Sequence, residues 1–134
     1  MKTSSALCAV LLLAAALPVT AQTDTEKLPS GVVVEHSVKG QGTQPAPTST
    51  VQVHYRGTLP DGREFDSSHK RGQPTTFPLN RVIPCWTEGL QRMKVGGKAK
   101  LTCPADTAYG ARGIPGVIPG NSTLTFEVEL LAAR

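Results

Sequence analysis

The stretch Leu124-Thr125-Phe126-Glu127-Val128-Glu129-Leu130 alternates apolar and polar residues without a break. One face of such a strand is built for a core and the other for water. Upstream, Val51, Val53 and Tyr55 alternate with Gln52, His54 and Arg56 in the same way, and Ala99, Leu101 and Cys103 alternate with Lys98, Lys100 and Thr102. Val32, Val33, Val34 and Val38, then Arg63 to Asp66, then Thr75 to Leu79 read as further strands. Gly40-Gln41-Gly42 and Pro60-Asp61-Gly62 supply the turn chemistry between them. Only between Asn80 and Met93 does the period change. There Trp86, Leu90 and Met93 fall at i, i+4 and i+7, one face of a short helix, with Pro84 suited to its first turn. Thr43 to Ser49 and Ala108 to Asn121 are rich in proline or glycine, lack periodicity and read as loops. The expected fold class is α+β: an antiparallel sheet, polar on one face, wrapped around one short amphipathic helix that covers the other.

The N-terminus follows other rules. Lys2 precedes an apolar run from Ala6 to Leu17, and Val19-Thr20-Ala21 is a small-residue cleavage site. This is the three-part pattern of a secretory signal, and the run is too short to span a bilayer. The expected organisation is a signal peptide at 1–21, a disordered leader at 22–30 and one folded domain at 31–134. Cys8 lies early in the apolar run, is not read as a lipid-anchored cysteine, and leaves with the signal. Cys85 and Cys103 remain, in a chain bound for an oxidising space. A bridge between them, adding roughly 3 kcal/mol, and two small buried hydrophobes are both open readings. No second long apolar stretch follows, so no membrane association is expected after cleavage.

Composition excludes several functions. The formal net charge of +4 is scattered (Lys39, Arg56, Arg63, Arg81, Arg112) and forms no basic run, unlike a nucleic-acid footprint. His36, His54 and His69 lack metal-ligand spacing. There is no G-x-S-x-G, H-E-x-x-H or P-loop, and the two cysteines are not a C-x-x-C pair. Gly110, Gly113 and Gly116 alternate with Pro115 and Pro119 and open no helix, which argues against a phosphate cradle. What remains is aromatic. Of six aromatic residues, Tyr55, Phe65, Trp86, Tyr109 and Phe126 lie where strands, helix and loops meet. Core packing accounts for Trp86 and Phe126 as well as any site does. It accounts less well for Tyr109, which opens a glycine-rich loop with little of its own segment to pack against.

The strings Val53-His54-Tyr55-Arg56-Gly57 and Asp61-Gly62-Arg63-Glu64-Phe65-Asp66-Ser67-Ser68 come first, followed by Val82-Ile83-Pro84 with Trp86-Thr87-Glu88-Gly89. Ala108-Tyr109-Gly110, Ile118-Pro119 and the Leu124–Leu130 strand follow in turn. In that order the chain resembles an FKBP-type prolyl isomerase from about Gly31 to its end. The resemblance implies a shallow apolar pocket between sheet and helix, with Trp86 as floor and Tyr55, Phe65, Val82, Ile83 and Phe126 as walls. It implies polar contacts from Asp66 and Tyr109, the Ile83 N–H as a donor to the bound peptide, Ile118 on the substrate side, and Arg71 as a basic residue near the aspartate. Thr75 stands where the family often has an aromatic wall, and Ile114 where it has a histidine.

The implied activity is cis/trans isomerisation of X-Pro bonds in exported polypeptides, by non-covalent binding, with no metal and no cofactor. Proline-containing chains are the implied partners, and macrolides such as rapamycin the implied inhibitors. A short loop before the last strand and a short leader imply a monomer without strong holdase behaviour. The signal implies a periplasmic location, with full secretion as the alternative. A binding module that grips proline-containing peptides without turnover, and a chaperone that holds unfolded chains, share the same fold and stay open.

Overall fold

The computed structural model describes residues 24–134; the expected signal peptide lies outside the described residues. Seven strands follow the chain: β1 (Asp24–Lys27), β2 (Val33–Val38), β3 (Thr50–Thr58), β4 (Glu64–Ser67), β5 (Thr75–Pro78), β6 (Lys98–Cys103) and β7 (Leu124–Ala133). They form one sheet in the order β1-β2-β6-β7-β3-β4, with β5 paired to β3, and every pairing is antiparallel. Two α-helices interrupt them, α1 (Ser68–Arg71) and α2 (Pro84–Leu90), with 3-10 turns at Leu79–Arg81 and Ala105–Thr107.

The alternation decides which side is the core. Val51, Val53 and Tyr55 of β3, Ala99, Leu101 and Cys103 of β6, and Leu124, Phe126, Val128 and Leu130 of β7 are all buried, and α2 packs against them through Trp86 and Leu90. The opposite face carries rows of alternating charge. Glu35 pairs in register with Lys100, Lys100 with Glu127, and Glu127 with Arg56. A second row runs Lys98, Glu129, His54, and the His54 ring stacks on His69 at 4.5 Å. Opposite charges across neighbouring strands stabilise modestly, and like charges there would do the reverse. This face stays in water for that reason.

Helix α2 is shorter than the sequence spacing predicts. Pro84 occupies its first turn, where a missing N–H costs nothing, and the helix closes at Leu90. Arg92 and Met93 then donate to the carbonyls of Gly89 and Leu90 in tight turns, which still deliver Met93 to the core at 1% exposure. Gly89 lets the helix lie close to the sheet: a Cβ there would sit 3.0 Å from Leu101 Cδ2. Cys85 of α2 and Cys103 of β6 form a disulfide, with Cα atoms 5.6 Å apart and 18 residues of separation.

One expectation needs correction. The leader is ordered from Asp24 to Lys27, which pair with His36 to Val33 as the edge strand β1. Its residues are polar on both faces because an edge strand over the rim of the sheet has no core to serve. Backbone pairing holds it, with Lys39 bound to Asp24 and His36 Nε2 at 2.9 Å from Glu26. After β4 comes α1, a single helical turn that has too few residues to show a period. Gly72 ends it with a left-handed φ of 73°.

Candidate functional site

Where α2 crosses the inner face of the sheet, a pocket of about 490 Å³ opens to solvent. Trp86 is its centre: Tyr55, Phe77 and Phe126 each meet the indole nearly edge-on, at centroid distances of 5.0, 5.4 and 5.3 Å. Phe65 meets Phe126 in the same way at 5.6 Å. Such edge-to-face contacts suit the ring quadrupoles and fix the rings relative to each other. Trp86 is 4% exposed and its Nε1 has no hydrogen-bond partner among the described residues. The remaining lining comes from Val82 and Ile83, at the entry to α2, with Arg81, Asp66 and Tyr109 at the rim. Gly57 makes the closure possible, because a Cβ there would lie 2.5 Å from Phe65 Cζ and 2.9 Å from Phe126 Cε1.

One edge is polar and internally balanced. Tyr55 donates its hydroxyl hydrogen to Asp66 Oδ2, Arg71 Nη1 donates to Asp66 Oδ1 at 2.6 Å, and Arg71 Nη2 donates to the Tyr55 hydroxyl at 3.0 Å. Burial pulls the Asp66 carboxyl upward, but the hydrogen bonds from Tyr55 and Arg71 and the guanidinium charge outweigh it and leave Asp66 below the usual aspartate range. The Tyr55 phenol is raised, first by burial and then by its bond to Asp66. Tyr109 is raised by burial and by the Asp66 charge, and its hydroxyl has no partner among the described residues. The Ile83 N–H likewise has no partner among them, while the Ile83 carbonyl accepts from Trp86 and Thr87. The site therefore offers free donors over an aromatic floor, and its one carboxylate is already neutralised.

Of the residues singled out from the sequence, Tyr55, Phe65, Asp66, Val82, Ile83, Trp86, Tyr109 and Phe126 meet around this pocket. Arg71 stands behind it, joined to Asp66 and Tyr55 rather than lining the wall. Ile118 does not line it. It is 3% exposed, packed into the core cluster, and bridged backbone to backbone with Ile114. Thr75 accepts a hydrogen bond from Arg71 Nη2 at 3.1 Å and so extends the polar edge.

Two lining residues escaped the sequence reading. Phe77 supplies an aromatic wall two residues beyond Thr75; its signal was the alternation of Thr75 and Phe77 around the exposed Thr76. Arg81 carried no signal beyond its place just before Val82. A hollow of about 550 Å³ on the outer face is larger, and Glu35, Lys98, Lys100, Glu127 and Glu129 ring it with charge. Among the described residues, the inner pocket joins an aromatic floor to convergent polar groups.

Residues 41–131 match the family model described as FKBP-type peptidyl-prolyl cis-trans isomerase. The FKBP-type peptidyl-prolyl cis-trans isomerase FkpA of Escherichia coli is 54% identical over 105 residues, which cover 78% of this chain and 38% of that protein. FK506-binding protein 1A of Emericella nidulans is 55% identical over 106 residues, covering 75% of this chain and 96% of that protein. The crystal structure of FkpA from Escherichia coli superposes with a TM-score of 0.79 at 49% identity, over 82% of this chain and 51% of that one. The chain thus spans well under half the length of the FkpA relative it matches.

Proposed function

The chain belongs to the FKBP-type peptidyl-prolyl cis-trans isomerases, and from that premise we propose that it accelerates cis/trans rotation about X-Pro bonds in exported polypeptides. The observation that carries the reading is the aromatic box around Trp86 with free donors at its rim. Rotation about a peptide bond is opposed by amide resonance, a barrier of about 18–20 kcal/mol, and is slow enough at proline to limit folding. The barrier is torsional, so no nucleophile is required. In the twisted transition state the amide loses double-bond character and becomes less dipolar. A water-poor aromatic pocket destabilises the planar, more dipolar ground state relative to it, which is differential binding.

In this reading the proline ring sits on Trp86 between Tyr55, Phe65, Phe77 and Phe126. The Ile83 N–H holds a carbonyl of the peptide, and the Tyr109 hydroxyl donates from the opposite side. Asp66 is held by Tyr55 and Arg71, so the pocket presents a local dipole and not a bare charge. Macrolides such as rapamycin are expected to compete for the same box.

Export to an oxidising compartment, a periplasm by preference, is supported by the apolar run at Ala6 to Leu17 and by the Cys85–Cys103 disulfide, a bond that persists in such compartments. Among the described residues no helix is long and apolar enough to cross a membrane.

The test is catalysed exchange of a short X-Pro-Phe peptide by purified residues 22–134, with and without rapamycin. Acceleration that rapamycin abolishes is expected. A folded protein that binds the peptide without accelerating exchange would overturn the isomerase reading in favour of a binding module.

A further inference from the structure

The rim of the pocket is not electrically even. Asp66 is its only carboxylate, and both of its oxygens are taken by Tyr55 and Arg71. Arg81 is exposed on the same rim and has neither an ion pair nor a side-chain hydrogen bond among the described residues. Of the charges that line the pocket or bond to its lining among the described residues, Asp66 and Arg71 cancel and Arg81 does not.

The backbone that carries Arg81 is pinned. Leu79 is fully buried, its N–H donates to the Ser49 carbonyl at 2.9 Å, and its carbonyl accepts from Thr87 Oγ1 at 2.6 Å. On the other side Val82 and Ile83 are packed into the pocket wall. The guanidinium is therefore a long, solvated arm on a fixed base, next to the Ile83 N–H that would hold the substrate backbone. A guanidinium offers a planar fork of donors matched to a carboxylate.

We propose that Arg81 makes this isomerase favour proline bonds flanked by an acidic residue and disfavour those flanked by a basic one. The inference rests on the isomerase reading and adds a substrate class to it. The pairing would be exposed, so its effect is modest and weakened by salt.

The experiment uses purified protein and acetylated, amidated peptides that differ only at the residue before or after proline: Glu, Gln, Ala or Lys. kcat/KM is measured at low salt and in 1 M NaCl. Binding of the same peptides is followed by fluorescence of Trp86, the only tryptophan, which reports occupancy of the pocket floor whether or not turnover occurs. The Glu peptide is expected to exceed the Lys peptide about fivefold at low salt, at one of the two positions, with the ratio falling toward unity in 1 M NaCl. Arg81→Gln should collapse the ratio, Arg81→Lys should keep part of it, and Arg92→Gln, which removes the same charge away from the pocket, should keep all of it. Equal rates and affinities for Glu and Lys peptides, or a ratio that survives Arg81→Gln, overturn the proposal. If no peptide is accelerated, the isomerase reading fails, while the Trp86 affinities still decide the charge preference.

Discussion

The two faces of the sheet obey the same period and meet opposite demands. On the inner face Tyr55, Phe126 and the Val, Leu and Cys residues around them are closed over by α2, and the rings lock at fixed angles. On the outer face the same strands present Arg56, Glu127, Lys100 and Glu35 as a row of alternating sign, with ion-pair distances of 3.9 Å for Arg56–Glu127 and 3.7 Å for Lys100–Glu35. Apolar contact is unforgiving because a lost ring leaves a void that neighbours fill poorly. Charged rows are forgiving because water replaces most of what a lost partner supplied. Substitutions one residue apart along a strand should therefore differ several-fold in consequence.

Replacing Phe65 and Phe126 together by Ala breaks the inner face most completely. At the buried Phe126 the truncation costs about 3–5 kcal/mol, at the half-buried Phe65 less, and kcat/KM for an X-Pro peptide should fall by more than tenfold. Phe65→Leu, which keeps an apolar wall, should fold and retain part of the activity. If the double variant is folded by circular dichroism and keeps its kcat/KM, the apolar-pocket account of catalysis is wrong. Next in size is the disulfide. Cys85→Ala with Cys103→Ala should cost about 3 kcal/mol, a drop in Tm of roughly 10–20 °C, because the unfolded chain regains the freedom that the closed loop denied it. An unchanged melting curve would mean that the bridge adds nothing beyond packing.

Gly57→Ala sharpens the contrast with a single methyl group. The new Cβ would lie within 3.0 Å of both Phe65 and Phe126, and overpacking of this kind costs about 1–3 kcal/mol. Activity should fall more than stability, since the displaced rings are the pocket walls. Glu127→Lys makes the corresponding change outside. It sets three cations in a row with Lys100 and Arg56, yet should cost at most about 1 kcal/mol by urea titration, less in 1 M NaCl, with kcat/KM unchanged.

The smallest expected effect is that of pH. Asp66 is held below its ordinary range, so its contribution is complete above that range and lost only as pH falls through the lowered value. The Tyr55 phenol is raised, so its neutral form persists past the usual tyrosine range and is lost only as pH rises through the higher value. Between about pH 5 and 9 neither changes state, and kcat/KM should be flat within twofold. A bell-shaped profile in that window would mean acid–base chemistry that the torsional mechanism does not contain.

The fold was largely legible because its strands are half-buried, and half-burial writes itself as alternation. Val51–Val53–Tyr55 and Leu124–Phe126–Val128–Leu130 could face only one way. Elements with too few residues for a period left no trace: α1 is a single turn, and β1 is a polar edge strand recognisable only once β2 is beside it. In the site, residues carried by the family resemblance came together, while Phe77 and Arg81 did not stand out. Phe77 sits in a strand of four residues, and an exposed arginine looks like any other surface charge until its neighbours are known.

By itself the sequence determined which residues face the core, where α2 interrupts the sheet, and which family the motifs resemble. These are local properties, set by side-chain period and turn chemistry within a few residues. Only the tertiary structure decided that Cys85 lies beside Cys103, that Asp66 is claimed by both Tyr55 and Arg71, and that Phe77 joins Tyr55 and Phe126 around Trp86. Those outcomes depend on the register and crossing of segments far apart in the chain, and no pattern within one segment encodes the distance to another.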